Sequence, residues 1–367
     1  MSDILIDEPS LGGPDGPMSS GPDDPFIGDD PRERKKLYRL GGILLVVGIA
    51  LLLFGLAASA IIMGVRVPAV LLGLIGIYAG LRRIGLARFG GDFDLTFVLS
   101  GVWLVVLVLA AILAPLLPLG EYKDTTATLG SKGYQPPSLF SDHPLGTNNF
   151  GLDLLSRSIY GAQASLIVAV AAVVIGIVVG GAIGICAGYF RGKTDTVIGV
   201  LTNSLLAVPA LILLIALASV LEPNLRNISF ALALLAIPSM IRIARANTIA
   251  FASREFVLAA RAMGATRWRV MVRELAPNVA LPLLSLGMVM ISVMIVAEAS
   301  LSFLGLGIKP PNPTWGNMIA EGQGGVFEQH PFIVLVPGVF LFLTVFAFNI
   351  VGEKAQKATA GRSGVKL

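Results

Sequence analysis

Few residues in this chain are of kinds that make or break bonds, and their spacing argues against such chemistry. Residues 187–194, AGYFRGKT, come close to a phosphate-binding loop, in which backbone amides cradle a phosphate and a lysine pairs with it. Ala187 stands in the first glycine position and no strand precedes the segment, so the match is rejected. His143 and His330, the two histidines, lie far apart, and the one cysteine, Cys186, sits in an apolar run. That excludes a disulfide framework and a cysteine metal site, and argues against a histidine site. No nucleophile, base and ligand cluster together as an enzyme would need. The expectation is a chain that is not an enzyme, with no metal site and no cofactor of its own. One carboxylate, Glu298, falls well inside a late apolar run. Burying it unpaired is costly, so an ionisable residue at membrane depth is by default a functional candidate. It also stands near the outer end of its run, where a capping or pairing role is equally open.

The most polar helical stretch is SREFVLAARAMGATRWRVMVRELAPN, residues 253–278. Ser253 is read as an N-cap, and Glu255 puts an acid in the first turn, where the helix dipole favours it. Phe256, Ala259, Ala260 and Met263 recur at the spacing of one helix face. Gly264 supplies the left-handed residue that ends this helix. Thr266 then caps a second, whose apolar residues Trp268, Met271, Val272 and Leu275 repeat the spacing until Pro277 stops it. Arg254, Arg261, Arg267, Arg269 and Arg273 stand between the faces. Two short basic amphipathic helices are predicted. They either rest on a bilayer surface or form a knob that fits a groove on a soluble partner.

Everything around this stretch must hold it at a membrane. Of 367 residues, 55% are hydrophobic and only 14% charged, and the mean hydropathy is +0.81, the composition of an all-α polytopic membrane protein. The net charge of +4 would suggest nucleic acid in a soluble chain; here the basic residues flank apolar runs and read as topology signals, so no nucleic-acid partner is expected. Residues 1–31 hold eight acidic residues, six prolines and no Lys or Arg, too polar to offset ordering entropy, and the expected disordered cytoplasmic tail covers 1–38. It lacks the basic and apolar regions of a signal peptide. Apolar runs predict spans at Gly41–Met63, Pro68–Leu81, Leu95–Leu117, Ser165–Tyr189, Val197–Val220, Ile228–Ile243, Val279–Leu304 and Phe332–Val351. Seven arginines between 242 and 273 put that loop in the cytoplasm by the positive-inside rule, and both termini follow. Residues 119–158 carry three basic and four acidic side chains, a poor cytoplasmic signature; they read as an external connector of turns with a short interfacial helix, direct substrate contact being the other reading. Glycines at 176, 180, 184 and 188 form one helix stripe, with Gly180 and Gly184 at its centre, suited to close packing. Pro209 and Pro238 inside spans suggest kinks that line a cavity.

Several blocks carry a resemblance. Gly264, with Ala259 and Ala260 before it and Pro277 after, resembles the EAA loop of binding-protein-dependent ABC importer permeases. HPLGTNNFGLDLLSRSIYGAQASL (143–166), EASLSFLGLGIKPPNPTWGNM (298–318) and FNIVGEKAQKA (348–358) resemble the dipeptide and oligopeptide branch, as its second permease subunit. Leu258 departs from that loop, which usually has Glu there, and Ala276 stands where it usually has Leu. The resemblance implies a six-helix permease core over 95–358, a two-helix extension over 39–90 outside it, and a tail at 359–367. It implies a bacterial inner-membrane location and transport of peptides, with nickel, haem or glycosides as other cargoes of similar permeases. It further implies a homologous permease partner, two ATP-binding subunits carrying ATP and magnesium, and an extracytoplasmic peptide-binding protein. Glu255, Leu258, Ala259, Ala260, Gly264, Trp268, Met271 and Pro277 would form the coupling loop to the ATPases. Glu298, Pro209, Pro238, Gly180 and Gly184 are candidates for pathway or packing. A channel or secondary transporter acting alone would instead need polar residues or a coupling-ion site at the midplane, and the spans are almost free of charge.

Overall fold

The structure, a computed structural model, describes residues 31–57, 63–91, 93–138 and 141–363. Most of the acidic tail, residues 1–30, and the last residues, 364–367, lie outside the described residues. Residues 31–38, which the sequence reading assigns to the tail, are helical. Helix α1 begins at Pro31, because proline at the first helical position is pre-set for the turn and Glu33 lies in it.

The chain divides into two compact units, Met1–Leu95 and Thr96–Leu367. In the first, α1 (Pro31–Ala57) and α2 (Met63–Phe89) form a helical hairpin. A Cβ on Gly48 would stand 2.6 Å from Ile77 N, and one on Gly73 2.7 Å from Leu52 N, so the backbones meet with no side chain between them. The outer faces expose Val46, Leu53, Leu72 and Ile75, as a helix pair in lipid can.

The second unit contains α3 (Leu95–Leu113), α4 (Leu154–Phe190), α5 (Gly192–Ala207), α6 (Ala210–Ala218), α7 (Leu225–Phe251), α8 (Glu255–Ala262), α9 (Arg267–Phe303), α10 (Trp315–Ala320), α11 (Val326–Gln329) and α12 (Phe332–Ser363). No strand occurs among the described residues, only an isolated bridge between Thr147 and Asp153. Among the described residues seven helices are long and apolar enough to cross a membrane; α5 with α6, bent by 85°, is a broken span or a re-entrant loop, and makes an eighth if it is one span. The fold is therefore all-α, with a helical hairpin ahead of a larger helical body.

Several bounds differ from the sequence reading, each for a local reason. The fourth span begins at Leu154, not Ser165, because Asp153 is an N-cap whose side chain accepts from Ser156 N at 2.7 Å. What reads as turns and an interfacial helix is thus, from 154 on, the first part of one 37-residue helix. At about 1.5 Å per residue such a helix exceeds the roughly 30 Å hydrocarbon layer and must project beyond it. Pro209 does break its span, at the α5–α6 bend. Pro238 does not kink α7 into an open cavity; it is buried within a continuous helix. Pro277 does not stop a helix either. Residues 270–275 form a π turn in which Ala276 N bonds Met271 O, giving the proline ring room, and Asn278 Nδ2 takes the Glu274 carbonyl at 2.6 Å. The chain therefore runs unbroken from Arg267 to Phe303.

The core lies between α4, α7 and α9. Glycines 176, 180, 184 and 188 meet Ala236, Met240, Ala244 and Thr248, the matching four-residue stripe of α7, and a Cβ on any of them would come within 2.6–2.9 Å of the facing Cβ. Gly287 brings α9 against Val173 and Ile177 of α4, and Gly352 brings α12 against Val289 of α9. With lipid outside, burial of apolar area does not itself hold helices together, so this backbone-close packing carries much of the association. Trp103 Nε1 donates to Thr344 Oγ1 at 3.1 Å, tying α3 to α12.

Candidate functional site

The segment between α7 and α9 is built as a rigid corner. Helix α8 starts at Glu255 with Arg254, not Ser253, in the N-cap position; Ser253 Oγ instead donates to Ala250 O at 3.2 Å, closing the end of α7. Gly264 has φ +82°. Its N–H donates to Arg261 O at 2.9 Å while Ala265 N–H donates to Ala260 O at 3.0 Å, the paired bonds of a Schellman ending. Thr266 then caps α9, accepting from Arg269 N at 3.3 Å. The two helices are joined by four residues, 263–266, none free of a backbone or capping hydrogen bond.

The faces are not those read from spacing. Val257 and Ala260 point inward, with Val270, Met271 and Leu275, while Phe256, Ala259 and Met263 stay outside. Met271 is thus a core residue rather than part of an exposed coupling face. Leu258, Met263 and Trp268 are 52%, 83% and 70% exposed, and Phe256 and Val272 are also exposed, so these large apolar side chains lie outside the core. Arginines 267, 269 and 273 on the same segment are exposed as well, and Arg261 lies over the Tyr189 ring at 5.0 Å, pinning α8 to the end of α4. Glu255 and Pro277 are exposed.

At the far end of α9 the structure gathers a polar cluster that spacing could not show. Glu298 is fully buried, and its two carboxylate oxygens accept from Ser165 Oγ on α4 and Ser302 Oγ on α9, at 2.7 Å each. It joins helices rather than facing an open pathway. Nearby, Arg157 on α4 pairs with Glu321 after α10, and Asn148 Nδ2 also donates to Glu321 at 3.2 Å. The fully buried Trp315 donates from Nε1 to Ser158 O at 3.0 Å. His143 pairs with Asp153 at 3.0 Å and His330 stacks on Tyr134. At the other end of the body Arg245 of α7 holds Asp195 of α5, Nη2 lying 2.7 Å from Oδ2. Hydropathy alone starts this helix at Ser165 and so leaves Arg157 outside it; Asp153 and Ser156, an acid three residues ahead of a serine N–H, are the local signal that places Arg157 inside. For Glu321 no local signal exists.

Residues 180–360, which include the corner and Glu298, match the family described as the binding-protein-dependent transport system inner membrane component. A protein of Brucella suis biovar 1 named as a peptide transport system permease is 36% identical over 258 residues, 70% of this chain and 85% of that protein. The chain belongs to this family. The dipeptide transport system permease protein of Alkalihalophilus pseudofirmus is 34% identical over 251 residues, covering 68% and 81%, and the glutathione transport system permease protein of Pectobacterium atrosepticum 34% over 218 residues, covering 59% and 72%. As an inner membrane component of a binding-protein-dependent transport system, the protein is a multi-pass permease subunit of an ABC importer, and its long apolar helices are its candidate spans.

Proposed function

We propose that this permease carries peptides, pairs with a similar permease to form the pathway, receives cargo from an extracytoplasmic binding protein, and is driven by two cytoplasmic ATP-binding subunits. The names of its relatives support the cargo class, and the arginine-rich 242–273 segment supports a cytoplasmic corner, with both termini on the same side. The corner would be the coupling surface. The observation that carries this reading is that exposed apolar side chains stand on α8 and on the first turns of α9, a helix that runs without a break to the Glu298 cluster. A push on Trp268, or on Leu258 through the Gly264 corner, is delivered to a rod about 55 Å long at 1.5 Å per residue, whose other end is fastened to α4 by the Ser165–Glu298 hydroxyl–carboxylate bond. An ATP-driven change in the partner can shift the permease only through contacts that differ between its two states, and a rigid rod transmits such a contact where a flexible loop would absorb it.

Leu258 in place of an acid makes the docking face more apolar. A large side chain that becomes fully buried on docking contributes roughly 1.5–3 kcal/mol, comparable with a charged contact and less sensitive to salt. Trp268→Ala should therefore weaken ATPase co-purification. Gly264→Val, which forces a β-branched residue into a left-handed backbone, should uncouple hydrolysis from uptake while membrane insertion persists. Co-purification, cargo-stimulated hydrolysis and uptake are measured on the same preparations. Wild-type behaviour of both variants in all three would show that the corner does not couple.

A further inference from the structure

At the end of the body that carries the Glu298 cluster, four separate segments converge on a cavity of about 490 Å3. Tyr122 comes from the connector before α4, Tyr160, Gln163 and Ile167 from α4, Asn224 from the turn before α7, and Lys309 and Asn312 from the loop after α9. We propose that this cavity is a binding site for the carboxylate end of a short peptide, with Lys309 as the anion partner; this rests on the peptide-importer reading above.

Each wall is held in place by bonds that leave its cavity-facing groups unused. Glu121 Oε1 accepts the backbone N–H groups of Tyr122, Lys123 and Asp124 at 2.9–3.1 Å, which fixes the turn carrying Tyr122. The Tyr122 and Tyr160 rings then stack at 3.7 Å and 10°. Asn317 Nδ2 donates to both Ile308 O and Asn312 O, at 3.2 and 2.8 Å, clamping the loop that presents Lys309. Asn224 caps α7 with its side-chain oxygen and keeps its amide nitrogen free. By contrast, the side chains of Gln163, Lys309 and Asn312 make no hydrogen bond or ion pair among the described residues. Preorganised walls with unspent donors are what a ligand site requires, since less ordering is left for the binding event.

The chemistry selects the ligand. Among the described residues Lys309 is the only charged side chain lining the cavity, so the favoured guest carries one anionic group. The amides of Gln163 and Asn312 offer both donor and acceptor, which matches a peptide bond, and the stacked tyrosines offer an aromatic face with hydroxyl edges for a side chain. The volume lies within the roughly 300–1,000 Å3 range of small-ligand pockets, suited to a few residues rather than a protein domain. Ile167, which lines the cavity, is one of a stripe of exposed apolar residues on α4 with Val170, Val174 and Val178.

The test uses the assembled transporter in nanodiscs, with p-benzoyl-phenylalanine replacing Ile167 so that the tyrosine pair and Lys309 are intact. A tritiated tripeptide with a free carboxylate should photolabel this position, and its C-terminal amide should need about tenfold more for equal labelling. Lys309→Gln should abolish that preference and Lys309→Arg should preserve it; Lys309 is on the surface, so neither change threatens folding. Uptake of the same tripeptide, with the binding protein present, is measured in parallel. Import of no peptide by the wild type would overturn the importer reading itself. Normal import without photolabelling at 167, or a preference for the acid that survives Lys309→Gln, would overturn the site alone. Cross-linking of position 167 to the binding protein in place of the tripeptide would also overturn it, and would make the cavity a docking surface.

Discussion

Gly184 offers a direct measure of how closely α4 and α7 must approach. A methyl group at 184 would lie 2.6 Å from Ala244 Cβ and 2.6 Å from the Ile241 carbonyl oxygen, about 1 Å inside the normal separation of roughly 3.5–4.0 Å for nonbonded carbon. The second obstacle is backbone, which no rotamer change can move. Gly184→Ala must push the helices apart, and the same displacement loosens Gly176, Gly180 and Gly188 against their partners on α7. Overpacking of this kind costs about 1–3 kcal/mol, which at roughly 2–4 °C per kcal/mol for a large domain lowers the midpoint of thermal unfolding by about 2–12 °C. Adding Ala244→Gly removes the methyl contact but not the carbonyl contact, so it should restore part of the loss. Gly199→Ala on α5 is the control, because a Cβ there meets nothing within 4 Å. Intrinsic fluorescence during heating of the purified protein reads all four. Equal midpoints for Gly184→Ala and Gly199→Ala, or no rescue by Ala244→Gly, would refute the packing argument.

Two further outcomes follow from the polar contacts. Glu321→Leu strands the buried Arg157 guanidinium and should destabilise by an amount at or below the roughly 3–5 kcal/mol seen for broken buried pairs, since the Glu321 side chain is 23% exposed; adding Arg157→Met should recover most of it, and failure of that rescue in the same melting assay would show that the pair is not the cause. The Glu121 carboxyl is held below its ordinary value by backbone N–H groups, those of Asp124 and Lys123 foremost. A depressed folded-state pKa gives a contribution that is full above the ordinary glutamate value of about 4.3 and is lost as pH falls through the lower folded value. Hydrogen exchange of the Lys123 and Asp124 amides should therefore speed up in that acidic window beyond its intrinsic pH trend, and Glu121→Gln should remove the extra acceleration; an unchanged profile in Glu121→Gln would contradict it.

Much of this protein was readable from local pattern. Span positions come from runs of apolar residues long enough for a bilayer, the Gly264 ending from a glycine placed between two periodic segments, and the Gly180–Gly184 stripe from a four-residue repeat. Each depends on neighbours within a turn or two; the ending and the stripe stand where the sequence places them, and the spans agree in position though not in their bounds. The errors cluster where the outcome depends on a distant or non-ideal partner. Asp153 extends α4 by eleven residues relative to the apolar run beginning at Ser165, a capping signal outweighed by hydropathy in the reading. Pro277 passes through α9 because a π turn accommodates it, and a wide turn has no spacing signature.

Tertiary structure alone decided which faces are free. The spacing of Phe256, Ala259, Ala260 and Met263 is one helix face, yet Val257 and Ala260 are the residues buried, because the direction of the core from α8 is set by α9 and the end of α4 rather than by α8 itself. Glu298 reads equally as a pathway residue and as a pairing residue until Ser165, 133 positions away, is seen to donate to it. Arg157 and Glu321 are separated by 164 residues, and the walls of the peptide cavity come from four segments spread between 122 and 312. The sequence by itself determined which segments enter the membrane, since the preference of a helical segment for lipid is a property of that segment. Which polar groups meet inside depends on how the helices pack, and that is set by contacts between residues the chain holds far apart.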